Sequence, residues 1–67
     1  MDIISANSVH NLARSVEAVA HTIKASITRG DCAQTLQWAA MELERLQGEA
    51  ASLEPEIRQA EKEASAA

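Results

Sequence analysis

Two long runs of helical periodicity meet at one sharp break, Thr28-Arg29-Gly30-Asp31. Before the break, Val9, Leu12, Val16, Val19 and Ile23 recur at alternating steps of three and four. That spacing places them on one stripe of an α-helix. Ala13, Ala20 and Ile27 flank the stripe and widen it. Ser5, Asn7 and Ser8 are all suitable N-caps, so the first helix is expected over about 5–28. Gly30 stands where a left-handed glycine ends a helix. Asp31 then caps a second helix over about 32–64, with Gln34 in capping-box spacing.

The second seam reads Leu36, Ala39, Leu43, Leu46, Ala50, Leu53 and Ile57, continuing in Ala60 and Ala64. Pro55 lies inside it and cannot donate to the Ala51 carbonyl. Either the helix kinks there or a third helix begins near Ser52, and the unbroken phase of the seam favours a kink. Beyond Ile57 the seam is alanine only, so residues 61–67 are expected to fray. A turn at Arg29, Gly30 and Asp31 folds the helices antiparallel. It brings Ile23 level with Leu36, Val16 with Leu43 and Val9 with Ala50.

The fold class is therefore all-α, an antiparallel helical hairpin forming a single domain over residues 1–67. Two helices enclose little core, so the free monomer should be marginal. Completion by oligomerisation or by a helical partner is expected. One cysteine excludes an internal disulfide and fits a reducing compartment. No stretch of eighteen apolar residues occurs, and Met1-Asp2-Ile3-Ile4-Ser5 lacks the features of a signal peptide. The expectation is a cytoplasmic protein that does not engage a membrane.

Charge is unevenly placed. Residues 1–33 balance Arg14, Lys24 and Arg29 against Asp2, Glu17 and Asp31. Residues 34–67 set Arg45, Arg58 and Lys62 against seven glutamates, a net of −4. An acidic chain without a basic stripe is a poor nucleic-acid binder. On the second helix, Glu42, Glu49, Glu56 and Glu63 flank one side of the seam, and Glu54 and Glu61 the other. A parallel coiled coil of this helix with its own copy would oppose like charges. The first helix or a more basic foreign helix suits it better.

No residue set supports catalysis, so the chain is read as a non-enzyme with no cofactor. His10 and His21 are separated by eleven residues, roughly 16 Å along a helix, too far to share a metal. Glu17 and His21 are spaced for an ordinary helix-surface pair. Cys32, at the start of the second helix, is placed where the helix dipole favours thiolate, but a small residue filling the turn is the simpler reading. Arg29-Gly30-Asp31 matches an adhesion tripeptide by chance, since its residues are used in the turn. Trp38, Met41 and Arg45 are more informative. With Gln34 and Gly48 they form a second stripe away from the seam. Trp, Met and Arg are enriched at interfaces, and Gly48 admits a close backbone. The competing reading packs Trp38 on the first helix near Ile27. The residues expected to bind a partner are Leu36, Trp38, Met41 and Arg45, supported by Leu12, Val16 and Val19.

Arg29-Gly30 at the turn, Leu36-Gln37 where the family has Tyr-Gln, bulky Trp38 and apolar Leu46 resemble the small type III secretion needle co-chaperones, the YscE/PscE/AscE group. The similar stretch covers about residues 29–48, and chain length and hairpin architecture agree with it. The resemblance implies a cytoplasmic hairpin that binds a larger helical-repeat co-chaperone. Through that partner it would hold the needle subunit soluble and monomeric before export. Leu36 in place of the tyrosine and the long acidic end depart from the family pattern. Two other functions fit the same residues. One is a homodimeric interaction module built as a four-helix bundle. The other is a small phage-type inhibitor that covers a basic surface of a host regulator with its glutamate-rich half.

Overall fold

The computed structural model describes residues 3–66. Helix α1 spans Ile3–Arg29 and α2 spans Cys32–Ala66, leaving only Gly30 and Asp31 between them. They fold back on one another as an antiparallel hairpin. At about 1.5 Å rise per residue, the 35 residues of α2 account for the long dimension of 53 Å. The radius of gyration, 15.7 Å, exceeds the roughly 11 Å of a compact domain of this length.

Both helices run further than the sequence reading placed them. α1 begins by Ile3 and includes Arg29, and α2 stays helical through Ala66. The end expected to fray is rich in Ala, Glu and Lys, which form helix well even without a partner. α2 also continues through Pro55 as one helix, so no third helix begins near Ser52. Pro55 and Ala51 are both exposed, which leaves the undonated carbonyl open to water.

Glycine is required at the turn. Gly30 has φ +80°, the left-handed conformation that closes a helix. Its N–H donates to the Ser26 carbonyl at 2.9 Å, and that of Asp31 donates to the same carbonyl at 3.2 Å. The Asp31 carbonyl then accepts the first bond of α2, from the Thr35 N–H at 3.1 Å. The capping box expected between Asp31 and Gln34 is not formed. One Asp31 carboxylate oxygen takes the Arg29 Nε–H at 3.2 Å, and the other is buried without a hydrogen-bond partner. Arg29 competes successfully because its guanidinium carries full charge. Gly30→Ala should cost about 1–2 kcal/mol in urea unfolding, the steric penalty of a Cβ at positive φ, because nothing else lies near that Cβ.

The core is small. Val19, Ala39 and Leu46 are buried, with Leu12 and Ile23 packed against them. The remaining contact line is polar from the turn to Ser8 on α1 and apolar at Leu53 and Ile57 on α2, which are half-buried. Ser26 and Thr35 are buried, and Ser8, Ser15, Thr22 and Cys32 are half-buried. Three hydroxyls of this line are satisfied locally. Ser15 donates to the Asn11 carbonyl at 3.0 Å, Thr22 to Ala18 at 2.9 Å and Ser26 to Ile23 at 2.6 Å. The Ser26 hydroxyl also lies 3.2 Å from the Cys32 thiol, where the helices leave the turn. Cys32 is half-buried there, with its thiol against Ser26.

This contact line corrects the expected seam. Val9, Val16, Leu36 and Leu43, expected on the buried stripe, are exposed. The physical reason is rotation. Each helix turns so that hydroxyl and alanine side chains share the line facing the other helix with Leu12, Val19, Ile23 and Leu46, while the other large aliphatic residues turn away. Self-satisfied hydroxyls make such a line tolerable.

Candidate docking face

The rotation leaves five large aliphatic side chains, from both helices, on one side of the hairpin. In an antiparallel pair, residues displaced in the same rotational sense from the contact line lie on the same side. On α1 these are Val9, Val16 and Ile27, on α2 Leu36 and Leu43, all exposed. Val9 and Ala50 line one groove together with Leu12, Leu53 and Ile57, the level expected from the turn. Ala13, Ala20, Ala33 and Ala40 are exposed between the larger residues. From Ala13 to Ile27 and from Ala33 to Leu43, this face carries no charged side chain on its centre line.

The opposite side is polar at one end. Ser8, Asn11 and Ser15 line a groove there with Arg45, Gly48, Glu49 and Ser52. Arg45 bonds Glu42 at 3.0 Å and Glu49 at 2.7 Å. The hydrogen bond that Arg45 donates to Glu42, followed by the Glu42 charge, holds the guanidinium still more firmly protonated than usual. Further along, Glu54 pairs with Arg58.

The four residues expected to bind a partner are divided by this geometry. Leu36 belongs to the apolar face. Trp38, about 200° further round the helix, lies on the other flank, with Met41 and Arg45. Exposure is 53% for Leu36, 41% for Trp38, 71% for Met41 and 44% for Leu43. Trp38 therefore lies outside the buried contact line, on the flank of α2, and is partly covered there. The supporting residues are divided too: Val19 is buried and Leu12 half-buried, whereas Val16 is exposed. Leu43, Ile27 and Val9 are face residues that sequence reasoning assigned to structure. The signal that finds them is the competing run Ser8, Leu12, Ser15, Val19, Thr22, Ser26, which has the same alternation of four and three.

Neither a family model, nor a curated protein, nor a solved structure matches the chain. The interpretation of the face thus rests on its own physics.

The chain exposes 5240 Å². A compact monomer of 7.2 kDa exposes about 4,100 Å². The excess, about 1,100 Å², reflects the elongated shape of the whole hairpin, in which neither helix has more than one neighbour. Among the described residues, no group of three or more His, Cys, Asp or Glu side chains is placed to hold a metal. No helix among them is long and apolar enough to cross a membrane.

Proposed function

We propose that the chain is a non-enzymatic binding protein that seats the first half of α2 in the groove of a larger helical protein. The observation that carries this reading is the exposure of Leu36, Leu43, Trp38 and Met41 on two sides of one helix. A flat partner reaches one side only. A concave partner, such as a helical repeat, covers both, and Gly48 lets its backbone approach. Arg45 is bound only by exposed pairs, which are weak and easily exchanged for a partner carboxylate.

The resemblance to needle co-chaperones supplies the biological form of this reading. The larger partner is then a helical-repeat co-chaperone in the cytoplasm, and the pair keeps an assembly-prone needle subunit monomeric before export. Covering apolar surface is sufficient for that task. No catalytic group, cofactor or metal enters it.

The test is Trp38→Ala. Partner binding should weaken about 10–100-fold, as for a hot-spot aromatic, while far-ultraviolet circular dichroism of the free chain stays nearly unchanged. Equal loss of helicity and binding would return Trp38 to the structure of the hairpin and remove the proposal's main support.

A further inference from the structure

We infer that, without a partner, the apolar face is covered by a second copy of this chain, paired about a two-fold axis that crosses α1 at Ala20. The face is uncharged along its centre, and its pattern is complementary to itself. Ala13 and Ile27 lie at equal distances from Ala20. An antiparallel contact of α1 with its copy therefore sets Ala13 against Ile27 of the second copy, small against large. The same register sets Glu17 beside Lys24 of the second copy, on both sides of the axis. Glu17 and Lys24 are exposed and form no ion pair among the described residues. Alanine on the axis lets the two backbones approach closely.

The second helix agrees independently. The approach of Ser26 to Cys32 fixes the register within the hairpin and brings α2 level with Ala20 near residue 38. The same axis then sets Ala33 against Leu43 of the second copy, and Leu36 against Ala40. Both α2 contacts are again small against large. The other two-fold arrangement, α1 against α2 of the second copy, brings Glu17 within a turn of Glu44 of the second copy and loses the charge pairing. The excess of about 1,100 Å² belongs to the whole elongated chain, the projecting part of α2 included, so the case for this pairing rests on its charge and size complementarity. The result is a four-helix bundle over the turn-proximal half, with the remainder of α2 projecting.

This pairing shares Leu36 and Leu43 with the groove reading but adds α1 and leaves Trp38 out. The two proposals therefore fail separately. Sedimentation of the full chain from about 1 to 100 µM should show a monomer–dimer equilibrium with Kd in the micromolar range. Ala20→Glu places two carboxylates together on the axis and should raise Kd by about 30-fold or more, with helicity retained. Ala18→Glu, on the other flank, should leave the dimer intact, as should Trp38→Ala. Glu17→Lys and Lys24→Glu should each weaken pairing about 3–10-fold, and the double exchange should restore it. A monomer throughout the range overturns the inference. So does a dimer indifferent to Ala20→Glu, or a double exchange no better than either single one.

Discussion

Replacing Leu46 with alanine should remove about 2–5 kcal/mol of stability, the cost of emptying a packed leucine site. Leu46 is 3% exposed and is the largest of the three buried hydrophobic residues. Small domains are stable by as little as about 5 kcal/mol, so the variant should be largely unfolded in mild urea. Leu43 provides the contrast. It sits one turn earlier on the same helix and, by apolar periodicity alone, belongs to the same seam. Its side chain is on the open face, so Leu43→Ala should cost under about 1 kcal/mol in the monomer. Urea unfolding followed by circular dichroism measures both. Equal costs would mean that the helices meet through their aliphatic stripes after all.

Leu36→Glu combined with Leu43→Glu should leave the free hairpin folded and abolish its associations. Exposed substitutions change stability by about 0.5 kcal/mol or less each. Each leucine buried in an interface contributes about 1.5–3 kcal/mol, and each 1.4 kcal/mol is tenfold in Kd. Losing both should therefore weaken binding by about 100-fold or more. The loss should extend to the larger partner and to the second copy, because both proposals use these leucines. Trp38→Ala should affect the partner alone. Titration calorimetry for the partner and sedimentation for the dimer separate the two. Unchanged association of the doubly substituted chain would remove the apolar face from the functional account.

The hairpin, its turn and its register were legible in the sequence because local chemistry decides them. Gly30 ends α1, Asp31 opens α2, and a turn this short leaves only one register. Helix phase was not legible in the same way. In α1, the aliphatic run through Val9, Val16 and Ile23 and the hydroxyl run through Ser8, Ser15 and Thr22 share Leu12 and Val19. Their unshared members differ by one residue, and because two members are common the stripe centres are about 60° apart. Apolar weight favours the first run as the contact line. The structure uses the second, because its hydroxyls bond to carbonyls of their own helix. On α2 the same ambiguity separates Thr35 from Leu36 and Glu42 from Leu43, while Ala39 and Leu46 belong to both readings. A chain that kept every aliphatic residue for its own core would have no reason to carry both runs.

The division of Leu36 from Trp38 follows from that rotation. Read as one partner-binding set, the two residues are close in sequence but face different sides of α2. The geometry converts the set into a demand on the partner, which must embrace the helix. Arg45, expected to reach outward, is instead bound to Glu42 and Glu49, so its contribution needs those exposed pairs to open.

The most direct measurement is solvent relaxation of the leucine methyl protons by a dissolved paramagnetic agent, in the Ala20→Glu monomer. Leu36 and Leu43 should be strongly attenuated and Leu46 spared. Equal protection at all three positions would mean that one hairpin shelters its own aliphatic side chains, and that no face remains for another chain to cover.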